Sequence, residues 1–202
     1  MAAPNDTRAR MLSTAATLFR RQGYNATGLN QILTESRAPK GSLYFHFPQG
    51  KEQLAAEAVA QSGAGLGLRM AGATAGAPDA RAAVVAVAAL LAQGLAESDF
   101  QEGCPVATVA LESATGSEPI RTACADTYAA WLQGLAARLR HSGVAEREAG
   151  ELADLVLASL QGALLLARVR RDVAVIHSVG EQVGAVVAQA VRNTTSTGGE
   201  EL

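Results

Sequence analysis

Lysine is almost missing from this chain of 202 residues, in which Lys40 and Lys51 are the only two. There are two cysteines, Cys104 and Cys124, and six prolines. Two cysteines without metal-ligand spacing exclude a disulfide framework and a zinc module, and both are read as small buried hydrophobes. With so little proline and long alanine- and leucine-rich runs, helices can extend unbroken, and the fold class expected is all-α. No stretch is read as apolar and uncharged for long enough to cross a bilayer. Asp6, Arg8 and Arg10 interrupt any apolar signal core at the N-terminus, so a cytoplasmic protein with no membrane partner is expected. Paired carboxylates, clustered metal ligands and a phosphate loop are all missing, which argues against an enzyme and against any cofactor.

What is present is a large apolar fraction, 49%, enough for a sizeable core. Charge is distributed unevenly along the chain. Residues 1–51 hold seven Lys/Arg against Asp6 and Glu35, a net of +5, while the chain as a whole is −2. A basic end on an acidic body is the footprint of a nucleic-acid-binding module.

That basic end contains Leu29 to Lys51, LNQILTESRAPKGSLYFHFPQGK. Leu29, Ile32 and Leu33 share one face of a short helix to Glu35, with Thr27 as expected N-cap. Pro39 suits the first turn of a second helix, and Ala38 before it is biased to extended geometry, placing a turn at Ser36 to Ala38. Helix, short turn and helix make a helix-turn-helix unit whose second helix enters the DNA major groove. In that second helix Leu43 and Phe47 turn inward. Consecutive helical residues are about 100° apart, so Tyr44, Phe45 and His46 cannot all share one core face.

KGSLYFHF followed by PQGKEQL, with LFRRQGYNATGLNQIL upstream, closely resembles the DNA-binding domain of the tetracycline-repressor (TetR) family. The resemblance covers about the first quarter of the chain and implies an N-terminal three-helix domain, here 1–54. A larger helical effector-binding and dimerisation domain would follow at 55–193, making about nine helices, then a disordered tail at 194–202. It implies phosphate contacts from Thr27, Tyr44, His46 and Lys51, and base-edge contacts from Lys40, Gly41, Ser42 and Phe45. Gly28, Arg37 and Pro39 complete the expected DNA-binding set. Arg37 departs from the family, which usually has glycine there; if that position needs positive φ, arginine costs about 1 kcal/mol.

In the body, Gly63, Gly65, Gly67, Gly72, Gly76 and Pro78 suggest that the helix opened by Lys51 frays near Ser62 to Gly67 and that 63–78 is a flexible or weakly helical connection. Asp79 and Asp172 are expected to cap long helices, and Ser142-Gly143 to close another. Apolar stripes at 152–167 and 176–191 suggest a homodimer interface from Leu157, Gly162, Ile176, Gly180, Val183, Gly184 and Val187, the glycines allowing close helix approach. GCPVATVALE at 103–112 is similar to a TetR branch regulating antibiotic-export and flavonoid-degradation genes, which implies an aromatic or drug-like effector. The expected effector-binding residues, between the fifth and eighth helices, are Phe100, Cys104, Val106, Tyr128, Trp131, Gln161 and Leu165. The expectation is a homodimeric repressor released by its effector from a palindromic operator. Its rivals are an effector-blind DNA-binding protein and a thiol enzyme using Cys104.

Overall fold

A computed structural model describes residues 4–197 and places nine α-helices among them, with no strand. They are α1 (Pro4–Gln22), α2 (Leu29–Glu35), α3 (Ser42–His46), α4 (Lys51–Ala75), α5 (Ala80–Glu97), α6 (Ala107–Ser113), α7 (Glu118–His141), α8 (Glu146–Arg170) and α9 (Ala174–Thr197). The all-α expectation holds. The chain forms two compact units, one of residues 1–65 with 101–128 and one of 66–100 with 129–202. These units do not divide at the expected boundary near Ala55: α6 and the start of α7 belong with the N-terminal helices.

The first unit is built on α1. Met11, Leu12, Ala15, Leu18 and Phe19 are buried at helical spacing, and Ile32, Leu33, Leu43, Phe47, Leu54 and Ala58 close the same core. Gly23, at φ +85, ends α1, and its N–H donates to the Phe19 carbonyl at 3.1 Å. α6 packs on α1. Arg20 and Arg21 both pair with Glu102 at 3.0 Å, and the Gly103 N–H reaches the Arg20 carbonyl at 3.4 Å.

The second unit is organised by α5 and α9, with α8 packed against both. Asp79 caps α5 through the Ala82 N–H at 2.8 Å and Asp172 accepts from the Ala174 N–H at 2.9 Å, as expected. Gly143, at φ +95, closes α7, while the Val144 N–H returns to the Leu139 carbonyl at 3.1 Å.

Several expectations are corrected. α4 does not fray at its glycines but runs to Ala75. Two of them are approach points for α7: a Cβ at Gly63 would collide with the Thr127 side chain, and one at Gly67 would stand 3.2 Å from the Trp131 indole. Packing there outweighs the roughly 1 kcal/mol that each helical glycine costs. Arg138 then holds the C-terminal end, its Nη2 donating to the Ala77 carbonyl at 2.6 Å and its Nε to that of Thr74 at 3.3 Å. α9 continues to Thr197, so the tail expected from 194 begins as helix; residues 198–202 lie outside the described set.

Of the residues expected at a dimer interface, those of α9 face inward, whereas Leu157 is half-buried and Gly162 exposed on α8. Ile176, Gly180, Val183, Gly184 and Val187 are buried within the chain. A Cβ at Gly180 would strike Ala88, and one at Gly184 would come within 3.3 Å of the Arg81 carbonyl oxygen. Their stripe is therefore the α5–α9 seam. Finally, α5, α8 and residues 174–193 of α9 are each long and apolar enough to cross a membrane by length and composition, contrary to expectation. Scattered charges interrupt these alanine-rich helices without breaking their apolar windows, and the same helices pack on one another.

Candidate nucleic-acid interface

The helix-turn-helix begins with a turn locked from inside. Thr27 is fully buried (0%); its hydroxyl donates to the Gly23 carbonyl at 2.6 Å and its N–H to that of Tyr24 at 3.2 Å. The N-cap of α2 is Gly28, in extended geometry, with no side-chain cap. Thr27 is thus neither cap nor exposed phosphate ligand: both its donors are committed to the α1–α2 turn.

α2 closes with two reverse hydrogen bonds, Arg37 N–H to the Thr34 carbonyl at 3.1 Å and Ala38 N–H to that of Leu33 at 2.9 Å. This pattern needs a left-handed residue between them. Arg37 supplies it at φ +54, the conformation anticipated for a position where glycine is usual. Its side chain is exposed, as is that of Lys40. α3 starts at Ser42, later than Pro39 suggested. Pro39 stands in a lead-in turn whose carbonyl accepts both the N–H (2.9 Å) and the hydroxyl (2.7 Å) of Ser42.

Within α3, Leu43 and Phe47 are buried, whereas Tyr44 is 64% and Phe45 76% exposed. Phe45 meets His46 edge-on with ring centroids 4.9 Å apart. Among the described residues, chain neighbours aside, nothing lies within 4 Å of a Cβ built at Gly41 or Gly28, so both edges of the unit are open to an incoming surface. A protein that leaves two adjacent aromatics exposed beside Lys40 presents a recognition face. Gly50, at φ +70, turns the chain into α4, where the Lys51 ammonium sits 4.1 Å over the Tyr24 ring. Burial lowers the Lys51 pKa, and the nearby Glu112 charge partly counters this. Burial, then Glu52, raises that of the Tyr24 phenol.

Four of the seven basic residues of this region have structural duties. Arg8 pairs with Glu57 and lies 5.1 Å from the Phe47 ring centre; Arg10 pairs with Asp6 and donates to the Ser36 carbonyl at 3.0 Å; Arg20 and Arg21 hold Glu102. Arg37, Lys40 and Lys51 are the cations that the helix-turn-helix and the start of α4 carry. The 1–51 charge count could not separate these two groups.

Residues 11–58 match the family described as bacterial regulatory proteins, tetR family, and residues 80–182 match the transcriptional regulator LmrA/YxaF-like C-terminal domain. The HTH-type transcriptional regulator YxaF of Bacillus subtilis is 37% identical over 187 residues, 93% of this chain and 98% of that one. The chain belongs to the TetR family. The HTH-type regulator LmrA of B. subtilis is 41% identical over 161 residues, 80% of this chain and 86% of that protein. Two solved TetR regulators share the fold, one from Rhodobacter sphaeroides (TM-score 0.77, 21% identity, 88% of this chain and 96% of that one) and one from Legionella pneumophila (0.78, 20%, 88% and 95%). This TetR-family chain is therefore a DNA-binding transcriptional regulator and not an enzyme.

Of the regulator's expected effector residues, Cys104, Val106 and Tyr128 fall in the first unit. Cys104 and Val106 are buried, and Cys104 hydrogen-bonds the half-buried Tyr128 phenol. Burial first, then the Cys104 and Cys124 thiols, pushes the Tyr128 pKa up; burial with Cys104 pushes the Cys124 thiol to about 11. In the second unit Trp131 is buried over Gly67, Gln161 is half-buried, and Phe100, at φ +60, lies under the Arg171 guanidinium at 5.2 Å. Leu165 is corrected as a pocket wall: it is 61% exposed on the outer face of α8.

Proposed function

We infer that this TetR-family regulator is a homodimeric repressor, cytoplasmic, that leaves a palindromic operator when a small aromatic or drug-like effector binds. The observation carrying the DNA reading is the division of α3, Leu43 and Phe47 buried and Tyr44 and Phe45 exposed. Lys40, Gly41, Ser42 and Phe45 read base edges, with Phe45 against a thymine methyl; Tyr44, His46, Lys51 and Arg37 take phosphates. Ser42 would have to exchange its bond to the Pro39 carbonyl for a base.

For the dimer, the supporting feature is the outer face of α8. Leu155, Leu165, Leu166 and Val169 are exposed there at helical spacing, with Ala158 and Gly162 between them, and Val186 is exposed on α9. An apolar stripe of this kind on a DNA-binding chain calls for a second copy. Two heads so joined would reach major grooves about 34 Å apart on one side of the duplex. Trp131 is assigned to the effector, since a buried indole offers the large rigid surface that an aromatic ligand stacks on. Release then requires several kcal/mol of differential affinity between two dimer states.

The test is capture of genomic fragments on the purified protein, sequencing them, and titrating the recovered duplex with aromatic compounds. A recovered inverted repeat, bound by a dimer and released by at least one compound class, is expected. Fragments with no shared sequence would refute the operator reading.

A further inference from the structure

Glu112 is carried by α6, outside the helix-turn-helix, yet its carboxylate lies in the α1–α2 turn. The Asn25 N–H donates to Glu112 Oε2 at 2.7 Å. The same carboxylate rests against Gly23, where a Cβ would push it aside, and Gly23 stands at φ +85, the left-handed region that favours glycine. Between Gly23 and Asn25 stands Tyr24, and over the Tyr24 ring sits the Lys51 ammonium at 4.1 Å. One acid, one amide, one ring and one ammonium thus converge at the start of α4, all in the first compact unit.

We propose that Glu112 governs the phosphate grip of Lys51: it ties down the turn that carries the Tyr24 platform while its negative charge offsets the ammonium and repels the approaching backbone. This rests on the reading of Lys51 as a phosphate ligand. Two opposite duties are combined in one side chain. The hydrogen bond to Asn25 holds the ring that orients Lys51; the charge reduces what Lys51 can gain from a phosphate. Neutralising the carboxylate while keeping an acceptor oxygen separates the two. The reduced grip has a use in a sequence-specific regulator, because phosphate contacts strengthen all DNA equally and lower the advantage of the operator over other sites.

The experiment uses the full-length protein and a mixed-sequence 30-base-pair duplex, with anisotropy followed across a salt series. Glu112→Gln is expected to bind about three- to tenfold tighter at low salt, with a dependence on salt steeper by up to ~0.9 in log-log slope. In a Lys51→Ala background the same substitution is expected to gain less than about twofold, since only the carboxylate's direct repulsion of the backbone is then relieved. Glu112→Ala, which loses the tie as well, should gain less than Glu112→Gln. A Glu112→Gln protein no tighter than the parent, or an undiminished gain without Lys51, overturns the proposal. If the parent binds the duplex without salt dependence, the phosphate reading of the head falls, and this proposal with it.

Discussion

Replacing Arg37 by glycine separates what the turn of the helix-turn-helix costs from what it contributes. Arg37 sits at φ +54, and the two hydrogen bonds that close α2 depend on that conformation. Left-handed geometry costs an L-residue about 1–2 kcal/mol, and glycine removes that penalty. Glycine also frees the unfolded chain by about 0.4–1 kcal/mol, so the net gain in stability is roughly 0.5–1 kcal/mol. For a chain of this length that corresponds to a rise in melting temperature of about 1–4 °C. The same change removes an exposed cation from the reading surface. If Arg37 neutralises one phosphate, the log-log salt slope becomes shallower by ~0.9 and binding to every sequence weakens alike. Thermal unfolding by circular dichroism, at one fixed protein concentration, reads the first effect; anisotropy with operator and with unrelated duplex reads the second. Arg37→Lys, keeping both charge and strain, should resemble the parent in both assays. An Arg37→Gly protein that melts lower would refute the strain, and one with an unchanged salt slope would refute the phosphate contact.

Lys51→Ala should weaken binding to operator and unrelated DNA by the same factor; a loss confined to some sequences would remove it from the backbone contacts. Gly180→Ala should lower stability by about 1 kcal/mol or more, since overpacking against Ala88 exceeds the helix-propensity gain, while Gly134→Ala, with open space around it, should raise stability by up to about 1 kcal/mol. Equal melting curves for the two would deny the α5–α9 seam its tight fit. Leu166→Glu should give folded monomers in sedimentation, whereas Val183→Glu should cost ~3 kcal/mol or more and unfold the chain, because Val183 is buried and Leu166 exposed. A Val183→Glu protein that is folded but monomeric would return Val183 to the dimer interface.

Local chemistry was readable wherever a residue acts on its own neighbourhood. Asp79, Asp172 and Gly143 cap or close helices as their types require, and Leu43 and Phe47 point inward by spacing alone. What escaped were decisions made by partners distant in the chain. Glycines in α4 look like helix breakers until the Thr127 and Trp131 side chains that occupy their space are known. The stripe from Ile176 to Val187 is apolar for either of two partners, and periodicity names the face without naming whether α5 or a second chain covers it. Thr27 had the composition of an N-cap, but its hydroxyl is taken by a carbonyl four residues back. Glu112 gave no signal at all: nothing near it in sequence hints that its carboxylate meets an amide 87 residues away.

Because Lys40 and Lys51 are the chain's two lysines and lie within or just after its helix-turn-helix, amine chemistry has almost nowhere else to go. An acylating reagent, or an acetyl-transferring enzyme, would leave every arginine ion pair of the body intact and address only these side chains and the terminal amino group. Lys40 is exposed, while Lys51 is half covered beside the Tyr24 ring, so the two should be modified in that order. On the proposed reading of both as DNA contacts, bound duplex would cover them. The scarcity of one residue type thus makes the grip on DNA the part of this protein most open to being silenced by a covalent neutralisation of charge.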